Sequence, residues 1–190
     1  MTIKIRQATI NDGPTIVPLI REAIGEIANR LTGEEKSSAV ETALLQLFER
    51  EDNRHSYLNS YVSVDEENDE VLGVLVIYSG QDAIQMDKNL SNWLEQKSAP
   101  TSRIDAEAYV DEFYIDTICV HPNARGKGIG SQLLIYAEEV ARENQFTKLA
   151  LNVELEKDKA RKLYEKMGFV TTESWSIIDE PFHHMVKVLY

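Results

Sequence analysis

The chain has 190 residues, 43% of them hydrophobic, and 20 Lys and Arg against 32 Asp and Glu, for a formal net charge of −12. That length and apolar content suit one folded domain and exclude wholesale disorder, while the acidity argues against nucleic acid as a partner, because neutralising phosphates needs clustered cations. A single cysteine, Cys119, excludes an internal disulfide framework; no apolar run approaches the roughly 18–20 residues of a membrane span, and MTIKIRQATINDG has no apolar leader, so no membrane contact and a cytoplasmic location are expected.

Residues 3–8 (IKIRQA) alternate weakly and predict a short strand. Asn11 or Asp12 then caps a helix with Pro14 in its first turn, and Ile16, Leu19, Ile20, Ala23, Ile24 and Ile27 form its apolar stripe. Thr32 and Glu35 have capping-box spacing ahead of a second helix carrying Val40, Ala43, Leu44, Leu47 and Phe48. Residues 57–64 and 71–78 predict an antiparallel hairpin around the acidic tip DEENDE. QDAIQMDKNLSNWLEQK predicts a helix with Ile84, Leu90, Trp93 and Leu94 inward, broken by SAPTSR.

YVDEFYIDTICV, from Tyr109, reads as a strand, HPNARGKGIG as a turn, and Ile129, Leu133, Leu134, Ala137, Val140 and Ala141 as the face of a helix. KLALNV is a strand, DKARKLYEKM a short helix stopped by Gly168, and FVTTESW and MVKVLY close the chain as strands. With no internal repeat and no linker, residues 1–190 predict one α/β (α+β) domain.

The segment VHPNARGKGIGS feeds a strand through a glycine-rich turn into an amphipathic helix. Successive N–H groups in such a turn converge on the positive end of the helix dipole and make an anion site, most often for phosphate. Gly126, Gly128 and Gly130 remove side chains that would hold a diphosphate off the backbone, and Arg125 and Lys127 add cations. The nucleoside-triphosphate loop is absent, since Ile129 follows Gly128, and the dinucleotide pattern fails at its last glycine interval.

Arg125-Gly126-Lys127-Gly128-Ile129-Gly130 resembles the coenzyme A pyrophosphate motif of the GNAT superfamily of N-acetyltransferases, Gln/Arg-x-x-Gly-x-Gly/Ala, filled here by Arg125, Gly128 and Gly130. The opening IKIRQATINDGPTI, the strand residues Leu151-Asn152-Val153, and Ala160-x-x-Leu163-Tyr164-Glu165-Lys166-x-Gly168-Phe169 resemble that family in order and spacing, whereas residues 80–108 resemble nothing in it and read as an insertion.

The resemblance implies a mixed, mostly antiparallel sheet, splayed between its fourth and fifth strands and flanked by helices. It implies acetyl-CoA as co-substrate, with pantetheine on the backbone of Ile118, Cys119 and Val120, the pyrophosphate on the amides of Arg125 through Gly130 with Ser131 adjoining, and Asn152 in contact. Many relatives carry Asn where this chain has Lys157, which removes one expected pantetheine contact. Homodimers are common among such proteins.

Acetyl transfer to an amine needs a route for the amine proton, donors for the thioester oxygen and a donor for the departing thiolate. The resemblance makes Tyr164 the candidate acid beside the sulfur and Asp116 the candidate base, directly or through water, with Glu112 on the same strand face by alternation. Cys119 reads as a core residue rather than a nucleophile, for no His stands at an activating spacing. Four scattered His and one Cys imply no metal. His183 or His184 could line an acceptor pocket, and Asp105, Glu107, Asp111, Glu112 and Asp116 would favour a cationic acceptor. The expected function is N-acetyl transfer from acetyl-CoA to a primary amine by direct attack in a ternary complex; the alternative is a catalytically silent coenzyme-A-binding module of the same fold.

Overall fold

The computed structural model describes residues 2–190. Seven strands, β1 (Ile3–Gln7), β2 (Ser60–Asp65), β3 (Val71–Ser79), β4 (Phe113–Val120), β5 (Lys148–Glu154), β6 (Val170–Ile177) and β7 (Glu180–Val188), form one sheet in the order β1-β2-β3-β4-β5-β7-β6. Every neighbouring pair is antiparallel except β4–β5. Six helices, α1 (Gly13–Ile24), α2 (Ile27–Thr32), α3 (Ser37–Glu49), α4 (Gly80–Gln96), α5 (Ile129–Glu143) and α6 (Asp158–Lys166), flank it.

The two sheet faces make two cores. Ile16, Ile20, Leu44, Phe48, Leu90 and Leu94 of α1, α3 and α4 pack with Val62, Val74, Val76 and Tyr114 of the sheet. Leu133, Leu134, Ala137 and Val140 of α5 pack on Leu75, Ile77, Ile115, Leu149 and Leu151. The long apolar β3 is buried along almost its whole length because both faces are covered. Among the described residues no helix is long and apolar enough to cross a membrane.

Several boundaries depart from the sequence expectation, each for a local reason. The stripe expected to run through Ile27 is cut at Gly25, where the chain ends α1 and restarts as α2. Thr32 is the last residue of α2 rather than a cap; its hydroxyl donates to the Ala28 carbonyl at 2.7 Å, and α3 starts only at Ser37. Asp12 puts its carboxylate on Arg6 and the Thr9 N–H and hydroxyl instead of capping α1. Residues 57–59 form a single 3-10 turn, so β2 begins at Ser60.

Ile84, expected inward, is 62% exposed on α4, and Trp93 lies half-buried beneath the Lys97 ammonium at 4.4 Å. The strand expected from Tyr109 begins only at Phe113, because residues 109–112 close a turn in which the Glu112 N–H reaches the Tyr109 carbonyl.

Candidate active site

β4 pairs with β5 only from Phe113 to Ile115, opposite Leu149 to Leu151. Beyond Ile115 the β5-facing edge of β4 has no strand partner. The cause lies in the β3–β4 ladder, where Val76 pairs with Thr117 and Ile77 with Ile115, leaving Asp116 as an extra residue. Such a bulge bends its strand and re-aims the side chain it carries. The two strands therefore diverge at Asp116, and a cleft opens between them. Ile118 and Thr117 line one wall, Asn152, Val153, Ala160 and Tyr164 the other, and Ile24 and Ile27 cover it from above.

The glycine turn stands beyond the end of β4. Gly126 and Gly128 have φ of +77° and +79°, in the left-handed region that a side chain disfavours, with no heavy atom within 4 Å of where a Cβ would lie. Gly128 leads directly into α5. The N–H groups of Gly126 through Ser131 have no acceptor among the described residues. A Cβ on Gly130 would sit 3.8 Å from Val120 and 3.9 Å from Leu163, between the two arms of the cleft. This is a cradle of outward donors at a helix N-terminus, as a diphosphate requires.

Buried charge floors the cleft. Arg54, 1% exposed, contacts Asp87 at 2.6 Å and Glu107 at 2.5 Å, with Asp116 at 3.9 Å. Asp116, 3% exposed, faces His55 Nε2 at 3.0 Å and accepts from the hydroxyls of Tyr78 (2.6 Å) and Thr117 (2.9 Å). Burial alone would push its carboxyl up, but His55 and Arg54 outweigh burial and hold it well below the usual carboxylate range. Glu107 goes the other way: burial, helped by the Asp116 charge, pushes it up against the pull of Arg54. Its second oxygen accepts from the Tyr114 hydroxyl at 2.8 Å. Among the described residues no group of His, Cys, Asp and Glu is arranged to hold a metal ion.

The acetyltransferase (GNAT) family profile matches residues 22–169. The chain belongs to this family. It is 27% identical over 167 residues to a Bacillus subtilis (strain 168) protein named Uncharacterized N-acetyltransferase YhfO, covering 88% of this chain and 89% of that protein. A solved structure described as an acetyltransferase is 29% identical, with a TM-score of 0.77 over 98% of this chain and 100% of that one. The PaiA N-acetyltransferase of Thermoplasma acidophilum, solved with coenzyme A, shares the fold at 16% identity, with a TM-score of 0.60 over 99% of each chain.

In this GNAT chain three of the residues expected around the coenzyme, Ile118, Asn152 and Tyr164, line the cleft, and the others lie outside its lining. Tyr164, on α6, lines it half-buried, its ring edge-on to Phe169, and burial pushes its phenol up to about 12. Ile118 faces the gap, while Cys119 packs in the core beneath α1, its thiol raised by burial and within electrostatic range of Arg125 and Tyr164. Arg125 folds back: its Nε donates to the Val120 carbonyl at 3.1 Å and its guanidinium pairs with Glu22 of α1. Lys127 is exposed and Ser131 half-buried in the first turn of α5. Lys157, at the α6 N-terminus, pairs with Glu154 at 3.2 Å.

Other expectations are redirected. Glu112 does not share a face with Asp116. It precedes β4 and lies 3.1 Å from His184, a contact alternation could not show because the strand starts late and bulges. Of the five acidic residues expected to attract a cationic acceptor, only Glu107 and Asp116 line the cleft; Asp111 pairs with Lys148 at the surface and Asp105 with Arg103. Asn152 has its polar atoms taken by Glu107, Tyr114 and His184. His183 stands 3.3 Å from Arg161, and His184 is fully buried.

Sequence reasoning missed Arg54, His55, Asp87, Tyr78 and Tyr114 altogether. The segment read as an insertion supplies Glu107 to the cleft lining and Asp87 to the Arg54 ion pair behind it. Gly128→Ala is expected to cost about 1–2 kcal/mol through the left-handed backbone alone, since the added methyl meets nothing. Thermal unfolding measures that loss, and calorimetry should show coenzyme A binding weakened well beyond it.

Proposed function

We propose that this chain transfers the acetyl group of acetyl-CoA to a primary amine by direct attack within a ternary complex. The observation that carries this reading is the row of partnerless amides from Gly126 to Ser131, set at the mouth of the cleft that opens at Asp116. Family membership and the coenzyme-bound PaiA relative support it.

When bound, acetyl-CoA supplies the acetyl thioester and the thiolate that leaves. The side chains manage protons. A lysine-like amine has a pKa near 10.4 and arrives as a cation. It gives up one proton to become the nucleophile and another on becoming an amide; one of these leaves on the coenzyme thiol and the other goes to solvent.

Glu107 is the acceptor of the first proton, directly or through water, because its raised carboxyl lines the cleft and holds a proton better than an ordinary carboxylate. The base role expected of Asp116 fits its setting poorly. His55 and Arg54 stabilise its charge, so it keeps its anion and acts on Glu107 as a fixed negative neighbour.

Tyr164, which lines the cleft, would serve the coenzyme sulfur as a hydrogen-bond donor. A phenol at about 12 lies above a thiol near 8.5 by enough that full transfer would cost about 5 kcal/mol, so donation rather than transfer is its part. Tyr164→Phe should lower kcat about tenfold while coenzyme affinity stays within about twofold; an unchanged kcat removes Tyr164 from the chemistry.

The reading is tested by calorimetry with coenzyme A together with thiol release from acetyl-CoA over a panel of primary amines. Binding with release for at least one amine is expected. Binding without release for every amine would make the chain a silent coenzyme-binding module, and no binding would overturn the reading.

A further inference from the structure

His184 is wholly buried on β7, behind the cleft wall to which Asn152 belongs. Its Nδ1 lies 2.7 Å from Asn152 Oδ1 and its Nε2 3.1 Å from Glu112 Oε1. The ring is clamped, stacked on Trp175 (centroids 4.5 Å, 28° between planes) and edge-on to Tyr109. It can neither turn nor swing.

The orientation of Asn152 follows from its partners. Its Nδ2 is 2.8 Å from the Glu107 carbonyl, which can only accept, so the amide nitrogen must face that way and Oδ1 must face the imidazole. Nδ1 of His184 therefore donates. The same Nδ2 is 3.2 Å from the Tyr114 hydroxyl, which donates to the Glu107 carboxylate. At the far side Glu112 accepts the Tyr109 N–H at 2.8 Å on Oε2, so it too is fixed.

Glu107 lies between α4 and β4 in a stretch with no strand ladder or helix to hold its backbone. Its main-chain carbonyl is held by Asn152, and its side chain by Arg54 and Tyr114. We propose that His184, locked between Glu112 and Asn152, is a positioning residue that sets Glu107 and Tyr114 at the cleft floor. The inference rests on the proposed acetyl transfer and adds to it a strut running from the cleft through β5 to the buried side of β7.

Two substitutions split the contacts. In His184→Asn the amide nitrogen stands where Nδ1 was and keeps the donor to Asn152. In His184→Gln it stands where Nε2 was and keeps only the contact to Glu112. With the amine that turns over best, His184→Asn should hold kcat within about threefold, and His184→Gln should lower it about 10- to 100-fold, the scale of a small misplacement at a reacting group. The KM for acetyl-CoA should stay within about twofold in both. In an Asn152→Ala background, His184→Gln should change kcat little further.

Equal kcat in both variants, or additive losses in the Asn152→Ala background, would overturn the inference while leaving acetyl transfer standing. If His184→Gln does not fold, Glu112→Ala, which loosens the ring from its far side, must show the same kcat-selective fall, and an unchanged kcat there overturns it. Absence of turnover in the unaltered protein would sink the functional reading, and this inference with it.

Discussion

Glu107→Gln is expected to lower kcat by about 10²–10³, the range that a positioned proton acceptor contributes, with acetyl-CoA affinity within about twofold. The side chain keeps its shape but cannot take the amine proton. It also meets two donors, Arg54 and the Tyr114 hydroxyl, and the amide can accept on only one atom, so a stability loss of about 1–3 kcal/mol accompanies the change. Because the carboxyl is raised in the folded protein, activity should climb with pH through a value above the ordinary carboxylate range. In Glu107→Gln that acid limb should disappear. Steady-state kinetics across pH on both proteins provide the check: an unchanged kcat, or an acid limb that persists in the variant, would remove Glu107 as the proton acceptor.

Arg54→Met is the substitution expected to cost most in stability. The guanidinium is 1% exposed and lies among Asp87, Glu107 and Asp116. Removing one partner from such a buried set typically costs about 3–5 kcal/mol, because the remaining charges are left uncompensated. For a chain of this size that lowers Tm by roughly 10–15 °C.

The pH dependence has a definite sign. Asp87 and Glu107 are already raised by burial, and Arg54 opposes that rise. Without it their folded values move further above the unfolded ones, so the folded state binds more protons and the deficit grows as pH climbs. Asp116 adds in the same sense: its depressed carboxyl contributes stability above its unfolded value that is lost as pH falls, and the part supplied by Arg54 is missing from the variant at high pH and makes no difference at low pH. Since Arg54 lowers all three carboxyls, its loss raises all three, and the variant should recover toward pH 5 and be worst near pH 8. Denaturant unfolding at both pH values decides it; a deficit under about 1 kcal/mol that does not change with pH would show that Arg54 does not hold the cluster together.

The glycine turn was legible because its information is local. Arg125 through Gly130 dictate a left-handed turn into α5 within six residues, and the conformations at Gly126 and Gly128 are those that the sequence demands. Tyr164 was legible for a similar reason, lying inside a short helix that Gly168 terminates. The buried charges beneath the cleft were not. Arg54 lies 33 residues before Asp87 and 53 before Glu107, and each looks like an ordinary surface charge until the fold buries it.

The bulge at Asp116 defeated strand alternation, which is why Glu112 and Asp116 were expected to face one way and do not. Ile84 was expected inward from an apolar count along α4, but only Leu90 and Leu94 reach the core there as fully buried apolar side chains. Residues 80–108 carry no motif of their own, and the carboxylates they deliver become meaningful only beside Arg54.

The most direct trial of the account is a titration of isotope-labelled protein with coenzyme A, followed by backbone amide NMR. The largest shifts should fall on the N–H groups of Gly126 through Ser131 and on the free edge of β4 from Asp116 to Val120. Saturation that leaves those resonances in place, or that moves another part of the surface instead, would contradict it.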